Sequence, residues 1–302
     1  MMNDIGFPNL GIWLHNVSGG FNIGGFSIRF YGLIIAMGFI LAYLLIEKEA
    51  KRTGQDPDVY LDYILWMIVP AILGARLYYV IFSHKEFFGG GRSFLETIGG
   101  ILNIRNGGLA IYGGIIVGVI FLIFYARKKE IPIPQFADTV IMGLLVGQIL
   151  GRWGNFFNRE AFGGFTKSIL AMAIPVSYYE GNGSLQYLIN KGIINQTIID
   201  NVQVYDGIEY IQVHPTFLYE SLWNLALLII IFIYRKNKKF EGELFLMYLW
   251  GYGLGRVWIE GLRADSLMIG PMKVSQLLAA VCVMAASVVI AKKRLKLKRA
   301  EN

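Results

Sequence analysis

The chain has 302 residues, 55% of them apolar and 16% charged, with a mean hydropathy of +0.50. That balance excludes an ordinary soluble domain, because most of the apolar content falls in blocks long enough to cross a bilayer. The formal charge of +7 does not imply nucleic acid as a partner, since the 28 basic residues flank apolar blocks and carry no aromatic or glycine-rich nucleic-acid motif with them.

Residues 1–28 hold Asp4 but neither a basic leading region nor a small-residue cleavage site, so they do not read as a removable signal. They are expected to lie along the outer membrane interface, anchored by Phe7, Trp13, Phe21 and Phe26. Seven apolar segments follow, at 28–46, 60–82, 108–126, 137–157, 216–234, 242–260 and 274–291. Each has about the ~20 residues that a spanning helix needs. The one long non-apolar stretch, 162–213, is a candidate extramembrane head. The expected fold class is therefore an all-α integral membrane protein: a single polytopic domain over 1–302, with seven transmembrane helices and a small extracytoplasmic head inserted at 162–213 between helices 4 and 5. Cys282 lies in the last apolar segment, so a disulfide framework and a cysteine-ligated metal are excluded and packing is its simplest role.

The loops fix orientation. Lys48, Lys51 and Arg52 follow the first segment, Arg127, Lys128 and Lys129 the third, Arg235, Lys236, Lys238 and Lys239 the fifth, and Lys292, Lys293, Arg294, Lys296, Lys298 and Arg299 the seventh. These alternate loops hold 16 of the 28 basic residues. By the positive-inside rule they are cytoplasmic, with the C-terminus, which puts the N-terminus and 162–213 outside.

Glycines recur at helical spacing. Gly143, Gly147 and Gly151 make two GxxxG steps in the fourth segment, and Gly114 and Gly118 make one in the third, a pattern that lets helices approach closely. Gly107-Gly108 and Gly113-Gly114 bracket Leu109 to Tyr112 at a membrane boundary, which suggests an irregular helix start with backbone NH groups facing a ligand or cavity. Asp138, at the cytoplasmic start of the fourth segment, reads as a helix N-cap.

Charges inside spans are costly and usually mark function. Arg76, Arg152, Arg256 and Glu260 all fall toward the outer side. Arg256 and Glu260 are four residues apart and can pair on one helix face. That pairing leaves Arg76 and Arg152 with only Glu160 and Asp138 at hand. Snorkelling accounts for each arginine singly, but three together point to an external anion. The rigid, always-charged arginine fork suits phosphate, and phosphate at that depth means a phospholipid headgroup.

The run Gly151-Arg152-Trp153-Gly154-Asn155-Phe156-Phe157-Asn158-Arg159-Glu160-Ala161-Phe162-Gly163-Gly164 resembles the defining motif of the prolipoprotein diacylglyceryl transferases, G-R-x-G-N-F-x-N-x-E-x-x-G. Further blocks resemble the family in the same order: Arg29 to Gly32, Gly74 to Arg76, Asn106 to Gly114, His214 to Glu220 and Tyr252 to Glu260. The resemblance covers nearly the whole chain.

It implies transfer of the diacylglyceryl group of phosphatidylglycerol to the lipobox cysteine of a prolipoprotein signal peptide, in a bacterial inner membrane. A thioether forms, glycerol phosphate leaves, and no metal or cofactor takes part. A thiolate displacing a phosphodiester at carbon drives negative charge onto the departing phosphate, a demand that arginine meets without proton transfer. Arg152 and Arg256 are accordingly assigned to the phosphate, and Asn155 and Asn158 to headgroup or backbone hydrogen bonds. Glu160 is to orient an arginine or the glycerol hydroxyls, or to pair with Arg159 or Arg76. Tyr31 sits beside the headgroup next to Gly32. Arg76, Gly163, Tyr252 and Glu260 are placed in the substrate site through their motif blocks, and His214 is to cap or orient the head.

One position departs from the pattern, because Tyr112 stands where many members have a histidine that has been a favoured general base. A phenol of pKa near ~10 is a poor base, whereas a thiol of pKa about 8.5 already supplies a few per cent thiolate at neutral pH. Tyr112 is then expected to bond or position. A transporter would also use arginines in a cavity, but no inverted repeat is visible and the charges gather on one side. An intramembrane protease lacks both a G-x-S-x-G motif and a pair of in-span aspartates.

Overall fold

Four short strands open the chain, β1 (Ile5–Phe7), β2 (Ile12–Leu14), β3 (Gly20–Ile23) and β4 (Phe26–Arg29). Helices α1 (Phe30–Arg52), α2 (Pro57–Phe82), α3 (His84–Phe88), α4 (Phe94–Leu102), α5 (Ile111–Lys128) and α6 (Ile133–Asn158) follow. Next come β5 (Met172–Pro175), three short helices α7 (Val176–Gly181), α8 (Leu185–Asn190) and α9 (Gln196–Ile199), then β6 (Gln203–Tyr205) and β7 (Ile208–Val213). The chain finishes with α10 (Thr216–Tyr234), α11 (Glu243–Leu262), the small hairpin β8 (Met268–Ile269) and β9 (Met272–Lys273), and α12 (Val274–Glu301). This computed structural model describes residues 3–88, 93–104 and 107–301.

The molecule is a mostly helical integral membrane protein. Helices α1, α2, α5, α6, α10 and α12 are long and apolar enough to cross a membrane. The sixth expected segment, α11, has 20 residues, but Glu243, Arg256, Glu260 and four glycines lower its hydropathy and keep it out of that set. On α2, Leu65, Trp66, Val69, Leu73 and Leu77 form an outward stripe, each at least 58% exposed, as a lipid-facing surface requires.

The expectation of an all-α fold is corrected by a five-stranded antiparallel sheet of order β2-β1-β5-β7-β6. Two strands of that sheet come from the first 14 residues, so the strands within 162–213 complete a sheet that the N-terminal segment begins. The expected interfacial anchor Trp13 packs instead over Gly6, and its ring lies edge-on to Tyr205 at 5.1 Å and Tyr210 at 5.4 Å. The sheet buries Ile5, Met172, Ile174, Ile211 and Val213 together with Phe156 and Phe217 from the helices. Phe21 and Phe26 stand on the separate β3–β4 hairpin, exposed, across the positive-φ turn Gly24-Gly25 that such a two-residue loop demands.

Two compact units are distinguished, one of Met1–Ala42 with Ile141–Asn302 and the other of Tyr43–Val140. In the second unit, Tyr60, Tyr63 and Tyr125 gather around Phe136 with ring centroids 4.8 to 6.2 Å from it. The close helix contact there is between α2 and α5 at Gly74 and Gly113, where a Cβ on Gly113 would come within 2.2 Å of the Gly74 carbonyl oxygen. Of the GxxxG glycines, Gly114 contacts α2 at ordinary distance, 3.5 Å from the Ala71 carbonyl oxygen and 3.7 Å from Ala75, whereas nothing described lies within 4 Å of a Cβ added at Gly118 or Gly147 and Gly151 meets only Ile35, at 4.0 Å. Asp138 is not an N-cap, because α6 starts at Ile133 and carries Asp138 buried in its second turn.

In the first unit the glycines of α11 set the packing. A Cβ at Gly251 would strike Leu227 of α10 at 2.5 Å, and one at Gly255 would strike Trp223 of α10 at 2.3 Å. Gly253 faces α12, with Val283 at 2.7 Å. Backbone thus approaches side chain directly on two faces, and the Trp223 indole NH donates to the Gly251 carbonyl at 2.9 Å.

Candidate active site

The end of α6 turns sharply. Arg159 and Ala161 both adopt positive φ, 50° and 56°, a costly conformation for side chains that must be held from outside. Arg159 supplies the hold. Only 2% exposed, it donates to the carbonyls of Asn3 and Val17 at 2.7 Å each and of Phe157 at 3.1 Å, with its guanidinium 4.2 Å from the Tyr178 ring. The Tyr179 hydroxyl donates to the Arg159 carbonyl at 2.9 Å. The turn therefore joins α6 to the N-terminal strands and to α7.

Within that turn Glu160 is exposed, and its Oε1 accepts from the side-chain amides of Asn155 and Asn158, 3.1 Å each. Its own NH donates to the Asn155 carbonyl at 3.1 Å. The three motif residues come together, whereas the Glu160–Arg159 pair that the sequence allowed is not formed among the described residues, Arg159 directing its Nη donors to backbone carbonyls. Tyr31 lies flat against α6 at Gly154, where a Cβ would sit 2.3 Å from the ring, and within electrostatic reach of Glu160 and Arg152. One turn further along α1, Ile34 and Met37 face Leu150, Trp153 and Phe157 of α6 across an apolar groove of about 270 Å³.

A chain of ion pairs links α6, α10 and α11. Glu220 of α10, 3% exposed, is its hinge. Its Oε2 lies 2.5 Å from Arg152 Nη2, and its Oε1 accepts from Arg256 Nη1 at 2.9 Å. Arg256 Nη2 reaches Glu260 Oε2 at 2.5 Å, and Arg263 stands 3.7 Å from Glu220 and 3.9 Å from Glu260. Arg263 is clamped in turn by Asp265 through two bonds of 3.0 and 2.9 Å. Burial opposes the charge on Arg263, yet Asp265, Glu220 and Glu260 outweigh it and raise its pKa. Lys273 closes the end of α11 by donating to the carbonyls of Glu260, Gly261 and Arg263. Tyr252, one turn before Arg256, stacks on Tyr248 at 5.3 Å.

Gly163 bolts the segment after the turn to both neighbouring helices. Its NH donates to the His214 carbonyl at 2.9 Å, and the Gly164 NH donates to the Leu262 carbonyl at 3.0 Å. Thr216 Oγ1 donates to the Ala161 carbonyl beside them. An added Cβ would come within 2.7 Å of both His214 Cβ and the Leu262 carbonyl oxygen. Gly163→Ala is therefore expected to destabilise the protein by about 1–3 kcal/mol, since backbone on that side cannot yield; a thermal midpoint in detergent unchanged from wild type would contradict this. His214 Nδ1 lies 3.2 Å from the Tyr219 hydroxyl, and burial lowers its pKa, so the ring is neutral at pH 7.

Arg76 and Tyr112 belong to the second unit. Arg76 is placed differently from the anion ligand expected: Nε donates to the Ile101 carbonyl, Nη1 to those of Gly107 and Gly108, and Nη2 to those of Gly100 and Asn103, at 2.7 to 3.1 Å. All five guanidinium donors are thereby used on the end of α4 and the loop leading to α5. Gly107 and Gly108 have positive φ, so the start of α5 is irregular, and a Cβ at Gly108 would lie 2.3 Å from the Arg76 guanidinium. Tyr112 is in the first turn of α5, 6.4 Å from the Tyr78 ring; Asn106 lies outside the described residues. Sequence reasoning missed Glu220, Arg263 and Asp265. The signal for Glu220 was a carboxylate about one turn into a largely apolar helix.

A polytopic helical membrane protein with a chain of ion pairs linking three of its helices is the class that fold and site define. The chain belongs to the prolipoprotein diacylglyceryl transferase family, whose model matches residues 19–292. It is 40% identical to the phosphatidylglycerol–prolipoprotein diacylglyceryl transferase of Synechococcus elongatus, over 86% of this chain and 82% of that one. The enzymes of the same name from Listeria welshimeri and Clostridioides difficile are each 38% identical, covering 91% and 87% of this chain and 89% and 90% of theirs.

Proposed function

We propose that this protein transfers the diacylglyceryl group of phosphatidylglycerol to the lipobox cysteine thiol of a prolipoprotein, the first step of bacterial lipoprotein maturation. The observation that carries the site assignment is the pair of guanidiniums on the two oxygens of Glu220. An arginine has five N–H donors, and Arg152 commits only Nη2 to Glu220 while Arg256 commits Nη1 and Nη2. Both keep donors for a phosphate, in contrast to Arg76. The site has little solvent to screen it, which strengthens such bonds where charge develops.

In the reaction the cysteine sulfur bonds to the glycerol carbon, the carbon–oxygen bond to phosphate breaks, and the electron pair leaves on glycerol phosphate. The thiol proton passes to solvent or buffer. Arg152 and Arg256 neutralise the departing phosphate, Glu160 with Asn155 and Asn158 faces the headgroup glycerol, and Tyr31 covers it. The groove below Tyr31 receives a donor acyl chain. Glu220 holds the two arginines, and Gly163, His214 and Tyr252 shape the surrounding wall.

In this reading α11 is a seventh span, its glycines and charges sheltered by α10 and α12. The protein crosses the bacterial cell membrane with its N-terminus and the head outside and its C-terminus in the cytoplasm, following the basic loops. Purified protein incubated with phosphatidylglycerol and a lipobox peptide should add the mass of one diacylglyceryl group to the peptide. A peptide of unchanged mass rejects the assignment. Tyr112→Phe should keep transfer within about threefold of wild type, because the thiol ionises without a strong base; loss by orders of magnitude would make the phenol part of the chemistry.

A further inference from the structure

We infer that the free edge of β2, with the groove beneath it, receives the acceptor peptide as an added strand; this rests on the transfer reading above. β2 is the terminal strand of the five-stranded sheet and pairs through β1 alone, so among the described residues no strand covers its other side. Its three residues, Ile12-Trp13-Leu14, make a short edge, which itself limits how far pairing can extend, but they include no lysine or proline to block it.

The side chains alternate as the pleat requires. Trp13 points to the Tyr205 and Tyr210 face, while Ile12 and Leu14 remain 47% and 39% exposed. With Leu10, Trp153, Phe156 and Phe217, those two line a wholly apolar groove of about 230 Å³. The opposite edge of the sheet, β6, presents Gln203 and Tyr205 and contributes no residue to this groove.

The groove and the ion-pair chain share two helices. The groove's wall residue Trp153 follows Arg152 in α6, and the Trp153 indole NH donates to Ser221 Oγ at 3.2 Å, next to Glu220 in α10. An acyl chain would use the apolar lining but leave the edge row of NH and carbonyl groups unmet. An extended apolar peptide satisfies both, with main-chain bonds giving affinity and alternate side chains giving register.

The test uses the full-length enzyme in phosphatidylglycerol vesicles and synthetic lipobox peptides N-methylated at one amide at a time. Strand addition predicts a period of two: methylation at alternate amides lowers kcat/KM at least tenfold, and methylation at the intervening ones changes it less than threefold. A benzophenone amino acid in place of Leu14 should form an adduct with the peptide that excess unlabelled peptide suppresses. Equal tolerance of methylation at every amide, or Leu14 adducts composed of phospholipid alone, overturns the inference while leaving transfer intact. If the unmethylated peptide is not lipidated at all, the transfer reading itself fails.

Discussion

Arg152→Ala is expected to lower kcat for peptide lipidation about a hundred- to a thousandfold, the loss typical when one preorganised donor to a developing anion is removed. The guanidinium sits in the last two turns of α6 with one amine on Glu220 and its other donors uncommitted among the described residues. It is held before substrate arrives, so little reorganisation accompanies the reaction. Arg152→Lys should recover only part of the activity, because a point charge replaces a planar fork. The measurement is single-turnover transfer at saturating phosphatidylglycerol. If Arg152→Ala retained a third or more of the wild-type rate, the departing phosphate would have to be stabilised elsewhere.

The second large effect is expected on stability. Glu220→Gln removes the charge that two arginines share and leaves Arg263, 3.7 Å away, as a third like charge nearby. Breaking a buried pair by neutralising one partner typically costs about 3–5 kcal/mol, since the remaining charge stays buried and uncompensated. The thermal midpoint in detergent should fall accordingly, with Glu220→Asp intermediate. Combining Glu220→Gln with Arg152→Gln should cost less than the two changes added together, because the double variant no longer strands a cation. Strict additivity would show that Glu220 and Arg152 act independently and that their 2.5 Å contact carries no coupling.

The helices were legible because their signal is one of length: α1, α2, α5, α6, α10 and α12 each carry an apolar run that no soluble element of this size would need. The five-stranded sheet was not, for a physical reason. β1 and β2 have three residues each and β5 is buried on both faces, so none shows the alternation that marks a half-buried strand. The paired glycines at 24 and 25 were the one strong local sign of a hairpin in the first thirty residues.

In the candidate site, the residues of the α6 motif could be read as a group, since Asn155, Asn158 and Glu160 lie within six positions of one another. Arg76 could not be distinguished from Arg152 by sequence. Both sit within two residues of a glycine in the later part of an apolar run, and only the folded loop reveals that five backbone carbonyls surround one of them. Counting carboxylates likewise understated the counter-charge, because Glu220 and Asp265 come from elements far from Arg152 and Arg256 in sequence.

The glycines of α11 bear on how this chain tolerates change over generations. Every amino-acid replacement of a glycine adds at least a Cβ, and at 251, 253 and 255 that atom would land 2.3 to 2.7 Å from a neighbouring side chain. A replacement at any of the three fits only if Leu227, Val283 or Trp223 moves, which is easiest at 251, where the atom met is the far end of a flexible leucine, and hardest at 255, where it is a rigid indole. The stretch bearing Arg256 and Glu260 thereby inherits a backbone path set by the side chains of its two neighbouring helices.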